Sequence, residues 1–463
     1  MVAFLVCAIA CVPIAFYGLR IDRKWWFLDP INTFWPVFVL FGVVQAWYSR
    51  AGWLAVYGEA TVYWTLSLYI IGGVCVCFGY RARPGPFIGR TLPVLRGRED
   101  RSRWFRIGVI TLLLGLCAYA YVIRNAGGLE VFLSSSRLNV SNIDQLTIGA
   151  YVAYFVPLIP MGLMILLCTT FSDRRYVLTK RLVLGGMGAW TFWNVYAGTR
   201  SGFISAVVLL FGAVYGAKRR NPSPAVMIGA LSAVVVIVGF ITQYRGDFYG
   251  GHFNVEHNSS QVLDRSIRMY TTAEGDSVPL GSEFGMSLAV VEYVPSQVPY
   301  DLGYMLLELF TAPIPRGIWP DKIYPSGKSW DQVHRVARTG SWINAAGYLS
   351  GPAPGFVGKW FYMAGPLGVV IGGLWTGMFL QVVRTYTARY PGIAGTVLAV
   401  NCAMLGFSEM NNPLSWPVGW LPSSGVFAFV LVALSRRHAV RRYMPRGASP
   451  ALRAGSIWLR RQT

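Results

Sequence analysis

Apolar runs near twenty residues long alternate along this chain with short polar stretches rich in arginine. "LVLGGMGAWTFW" (182–193) and "ISAVVLLFGAVYGA" (204–217) are two of them, parted only by "NVYAGTRSGF" (194–203). A helix that crosses a membrane needs roughly 20 mainly apolar residues. Eleven runs meet or approach that length, near 2–19, 31–49, 61–80, 107–123, 148–170, 182–197, 202–217, 224–243, 360–381, 393–408 and 418–435. Pro30, Pro224 and Pro417 stand at run starts, where a missing amide hydrogen costs nothing. The pattern predicts an all-α fold, a polytopic transmembrane helix bundle of about 11 spans with one long external loop containing short helices. It divides into an N-terminal membrane bundle (1–243), the long loop (244–359), a C-terminal membrane bundle (360–435) and a basic tail (436–463). Within the loop, "FGMSLAVVEYVP" and "YDLGYMLLELF" are too short to span. They are expected to lie at the interface or to plug a cavity.

Composition agrees with the pattern. Of 463 residues 54% are hydrophobic and only 13% charged, where a soluble domain carries about 25% charged residues. The net charge of +21 raises the question of nucleic acid. Sidedness answers it. If the runs alternate, the stretches 20–30, 81–106, 171–181, 218–223, 382–392 and 436–463 share one side. They hold 28 of the 41 Lys and Arg but 5 of the 20 acids, so one side is +23 and the other −2. The basic side is cytoplasmic by the positive-inside bias, which puts the N-terminus outside, the C-terminus inside, and leaves nucleic acid no part. A bacterial inner (plasma) membrane fits best. All seven cysteines lie in apolar runs without ligand spacing and read as small buried hydrophobes. Residues 1–17 lack a basic start and a cleavage site, so a first span is expected rather than a cleaved leader.

The external side carries the chemistry. Arg200 lies at the outer mouth, between two spans. It either snorkels to a lipid phosphate or lines a cavity and holds an anionic ligand. The densest cluster is "PIPRGIWPDKIYPSGKSWDQVHRVARTG" (313–340). There Arg316, Lys322, Lys328, His334, Arg335 and Arg338 alternate with Trp319, Tyr324 and Trp330. Guanidinium forks match phosphate oxygens, and the aromatics suit the apolar faces of sugars. Prolines 313, 315, 320 and 325 are expected to hold these groups without a regular helix. Arg245, Arg265 and Arg268 add further positive charge. The rival is a solvated loop with surface ion pairs. "GGHFNVEH" (250–257) has no zinc spacing, and no nucleotide loop, GxSxG or HExxH occurs. Neither a metal nor a cofactor is expected.

"AGTRSG" after a span, followed by a long external loop with "PIPRGIWPDK", resembles the bacterial O-antigen and exopolysaccharide repeat-unit polymerases of the Wzy type. Those are polytopic inner-membrane glycosyltransferases with a C-type membrane fold related to the O-antigen ligases. Arg316 to Gly327 also fits the R-x10-G spacing described for their external loops. One departure stands out: relatives often carry an acidic residue in an E-x-Y-x-N-F-G-like run, and here the run is "VGKWFYMAGPLG" with Lys359.

The resemblance implies transfer of a growing glycan from one undecaprenyl diphosphate to the sugar hydroxyl of another carrier-linked repeat unit. On that implication Arg200, Arg245, Arg316, Lys322, Arg335 and Arg338 bind the diphosphate, and Arg200 and Arg316 neutralise it as it leaves. Trp319, Tyr324 and Trp330 hold sugar. His334 is the first choice of base, with Glu292 and Glu409 behind it; its rival role is to pair with Asp331 or pack under Trp330. Partners would be the carrier-linked oligosaccharide, membrane lipids, a chain-length regulator and a flippase. A ligase or another lipid-linked-sugar glycosyltransferase would differ only in acceptor. A non-enzymatic transporter or flippase should instead show repeats and midplane charges.

Overall fold

Asp29 and Pro30 open the first long helix by two independent means. The Asp29 carboxylate accepts from the Ile31 amide (3.3 Å), and Pro30 occupies the first helical position. The helix runs as α1 (Pro30–Val39), widens into a π turn over Leu40–Gln45 and closes with Ala46–Tyr48. In this computed structural model the described residues are chiefly 26–48, 50–94, 98–125, 155–171, 176–196, 200–218, 283–301, 325–337, 353–390, 392–411 and 425–437, with short pieces elsewhere. Ten more long elements follow α1 and α2 (Arg50–Arg81). They are α3 (Pro84–Thr91), α4 (Arg101–Asn125), α5 (Leu158–Thr170), α6 (Val177–Tyr196), α7 (Arg200–Lys218), α8 (Glu283–Tyr293), α9 (Pro325–Ala337), α10 (Gly355–Thr387), α11 (Gly392–Asn411) and α12 (Val426–Ser435). Strand among the described residues is limited to two-residue bridges. β1 (Arg98–Glu99) pairs with β4 (Arg436–Arg437), and β2 (Trp342–Ile343) with β3 (Leu349–Ser350), both antiparallel.

The fold is therefore helical as expected. Four helices are long and apolar enough to cross a membrane: Arg50–Arg81, Arg101–Asn125, Gly355–Thr387 and Gly392–Met410 of α11. Shorter apolar helices cover Pro30–Gln45, Leu158–Thr170, Gly202–Lys218 and Val426–Ser435. The described residues do not reach eleven full-length spans. The runs expected at 2–19 and 224–243 are described only in pieces, and for those at 148–170 and 418–435 the described helices are Leu158–Thr170 and Val426–Ser435.

Two helices are broken. In α2 the backbone departs from helix at Gly58 (φ 74°). In α10 it departs at Ala364 and Gly365, the latter at φ 63°, ψ −147°, a region open essentially to glycine alone. The chain folds back there, so that Trp360 lies over Gly368 and Gly372. The span expected to begin at 360 therefore begins after Gly365, and residues 355–363 form a separate buried limb. The part from Pro366 to Thr387 is about 33 Å long, enough to cross.

Glycines bring the long helices together. Gly373 and Gly377 of α10, four apart, meet Gly72, Cys75, Val76 and Tyr80 of α2 at backbone distance, the close approach that small residues permit between apolar helices. The two helices run parallel, since Gly72 lies by Val369 and Tyr80 by Gly377. α4 and α5 run antiparallel, with Gly108 by Leu166 and Gly115 by Ile159. So do α7 and α11, with Gly212 by Val400 and Gly216 by Thr396. These are the directions that alternating passes require.

Two apolar cores result. One joins α1, α2, α8, α9 and α10; the other joins α4, α5, α6, α7 and α12. α11 belongs to both: Cys402, Leu405 and Met410 enter the first, and Val397, Val400 and Ala403 the second. Its start is fixed from outside. The Glu99 carboxylate accepts from the amides of Ile393 (3.1 Å) and Ala394 (2.9 Å), an anion at a helix N-terminus. Gly392 is at φ 71°, and a Cβ there would strike that same carboxylate.

Candidate functional site

The stretch "FGMSLAVVEY" was expected at an interface or in a cavity. It forms α8, and α8 is a plug. Phe284, Met286, Leu288, Ala289 and Val290 have no exposed surface. The Phe284 ring lies 5.8 Å from that of Tyr69 and 6.3 Å from that of Trp53, so α2 walls the plug with aromatics. Its buried first turn has amides that need acceptors. Gln45, at the end of the π turn, meets that need: its carbonyl accepts from the Phe284 amide (3.1 Å), and its amide donates to the Glu283 carboxylate (2.9 Å). Ser287 ties the plug to the α10 limb. Its hydroxyl donates to the Pro354 carbonyl (2.7 Å) and so accepts from the Tyr69 hydroxyl, 3.3 Å away. At the far end of α8, the Thr61 hydroxyl donates to Glu292, an exposed carboxylate.

α9 packs on α8. Pro325 starts α9 at a position where its missing amide hydrogen is harmless. This corrects the expectation that the prolines keep residues 313–340 out of regular helix: from Pro325 onward they begin one. Val333, His334 and Ala337 face inward and are buried, while Arg335 is exposed. The Arg335 Nε donates to the Asp331 carboxylate at 2.7 Å, one helical turn away. Arg335 is thus engaged in a surface ion pair, and Asp331 has Arg335 as a partner as well as lying near His334.

His334 is the one expected base that sits in this seam. Its residue is 4% exposed, and burial pushes the imidazole pKa down to about 4, against the opposing pull of the Asp331 charge. At neutral pH the ring is therefore uncharged. The unfolded chain holds His near 6.5 and takes up protons first as pH falls. Folding stability should therefore drop between pH 6.5 and about 4, by up to about 3 kcal/mol. Protection of the α9 amides, taken relative to their intrinsic exchange rates at each pH, should fall over that window, and His334→Gln should remove most of that fall.

The other expected residues fall elsewhere. Glu409, assigned to an external turn, lies in the last turn of α11, because that helix continues to Asn411. It has no exposed surface and accepts from the Thr376 hydroxyl of α10 (3.3 Å). Lys359 is buried on the α10 limb. Arg200 opens α7 and Trp330 lies on α9. Arg245, Arg316, Trp319, Lys322, Tyr324 and Arg338 lie outside the described residues. Among the described residues, no group of three or more His, Cys, Asp or Glu could hold a metal ion.

Gln45, Glu283 and Ser287 were missed. Their signal was present, since a lone glutamine closing an apolar run and a lone serine inside one are polar groups that must find partners. No family model, no curated protein and no solved structure matches this chain.

Proposed function

We propose that the chain is a metal-independent membrane glycosyltransferase that polymerises glycan repeat units on undecaprenyl diphosphate at the outer face of a bacterial inner membrane. The charge split of +23 against −2 supports eleven alternating passes with the C-terminus inside. On that reading α8, α9 and the α10 limb belong to the outer half of the bundle. In the reaction the bond from the donor's anomeric carbon to the diphosphate oxygen breaks, and a bond from that carbon to the acceptor's hydroxyl oxygen forms. The hydroxyl proton passes to a base, and undecaprenyl diphosphate leaves as an anion. Arginines of the outer segment, Arg200 and Arg316 first among them, offset its charge.

The observation that carries this reading is His334. It is an uncharged, buried imidazole in the arginine-rich outer segment, seated on a helix that plugs the bundle. Since the ring is covered while α9 rests on α8, the acceptor reaches it when α9 lifts, a gating step of the lid kind. The test is turnover of purified carrier-linked repeat units. His334→Ala and His334→Gln should each lose roughly 10²–10⁴-fold in rate, as removal of a general base does. Donor binding should persist. Activity within about threefold of the parent would take His334 out of the mechanism and leave Glu292 and Glu409 as candidates.

A further inference from the structure

α3 fits no part of the proposed chemistry and has a surface of its own. Gly85 and Gly89, one turn apart, lay one face of α3 against Met378, Gln381, Val382 and Thr385 of α10. Arg389 fixes its far end by donating to the carbonyls of Gly89 (3.0 Å) and Leu92 (2.6 Å). Away from that contact the helix is open and apolar: Phe87, on the opposite face, is 69% exposed, and Ile88 at its flank and Leu92 at its end are 39% and 38% exposed. Arg83 and Arg90 flank it, both exposed. Among the described residues neither is ion-paired.

This apolar face continues a belt that runs down the bundle. On α10, Leu367, Ile371 and Leu374 are exposed at helical spacing, and Phe78 of α2 is exposed beside Leu374. In a membrane that belt faces acyl chains. α3 lies where the belt ends, beside the termini of α2 and α10, in the stretch 81–106 with its eight basic residues. Soluble surroundings would favour neither so large an exposed phenylalanine nor its neighbours. A zwitterionic headgroup carries its own ammonium beside the phosphate and so offers the two arginines no net negative charge, whereas an anionic headgroup does.

We propose that α3 is a seat for anionic phospholipid. Phe87, Ile88 and Leu92 enter the boundary between acyl chains and headgroups, and Arg83 and Arg90 hold lipid phosphate by bidentate hydrogen bonds. The proposal rests on the membrane placement argued above.

The test uses the full chain in nanodiscs of phosphatidylcholine alone or mixed with phosphatidylglycerol. A nitroxide is carried on a non-natural residue at position 87, since native cysteines preclude thiol labelling. The label should be relaxed by oxygen and shielded from a water-soluble nickel chelate. Native mass spectrometry should show phosphatidylglycerol retained over phosphatidylcholine, and the Arg83→Gln/Arg90→Gln pair should cut that preference about thirtyfold. Nickel access at position 87 in carbonate-resistant protein would overturn the proposal alone, as would an unchanged preference in the double variant. A doubled mass with position 87 shielded would assign the face to a second copy and overturn it too. Release of the parent protein by carbonate would overturn the membrane placement beneath it.

Discussion

Replacing Asp29 with alanine is expected to remove about 3–5 kcal/mol of stability, the cost of breaking a buried ion pair by deleting one partner. Asp29 is 5% exposed and does three jobs. Its carboxylate pairs with Arg384 Nε of α10 at 2.6 Å, accepts from the Tyr80 hydroxyl of α2 at 2.8 Å, and caps α1. Alanine would leave a largely buried guanidinium and a buried phenol without the acceptor they share. Thermal unfolding in detergent measures the loss. Asp29→Asn should cost less, since an amide oxygen still caps the helix. Combining Asp29→Ala with Arg384→Met should recover much of the stability, because no unpaired charge then remains. An unchanged melting temperature in Asp29→Ala would mean that the three helix ends are held together by packing alone.

Arg200→Ala and Arg316→Ala are each expected to abolish long glycan chains while the protein still accumulates. Arg200 gives the sharper case. It opens α7, where the helix dipole already places positive charge and disfavours a cation by about 0.3–1 kcal/mol. Alanine there should leave the fold unharmed or slightly firmer as polymerisation fails. A residue kept only for structure would show the opposite pairing of effects. Arg→Lys should rescue in part, since the charge remains and the bidentate fork is lost. Glycan of normal length from Arg200→Ala would return the residue to lipid anchoring.

The long apolar helices were legible because hydropathy and flanking charge are local. α4, α7 and α11 each fill one run bounded by arginine, glycine or proline, and their ends fall within a few residues of expectation, save where α4 extends back to Arg101. What was not legible depends on partners distant in the chain. "VGKWFYMAGPLGVV" reads as one apolar run, and only the conformation at Gly365 shows that it is two helices folded on each other. α3 hid in an arginine- and proline-rich stretch because its packing face is two glycines, which carry no hydropathy. Asp29 and Arg384 were counted as loop charges, although they neutralise each other inside the fold. At the candidate site the residue types were readable and their neighbours were not. His334 was named from composition, but the α8 surface that buries it, and hence its depressed pKa, came only from the fold.

The sharing of α11 between two cores bears on how the protein is made. Ribosomes deliver α1 to α7 long before α10 and α11 exist. Until then Gly79 of α2 and Gly216 of α7 lack the α10 and α11 residues they pack against, and α1 lacks the wall that Gly406 and Ala403 later supply. The early helices can pair among themselves, α4 with α5 above all, but each half stays open until the last third of the chain closes both at once. Truncation upstream of α10 should yield not half a protein but none, a substrate for quality-control proteolysis. The insertion machinery that shelters such intermediates should matter more to this chain than to a bundle assembled from successive hairpins.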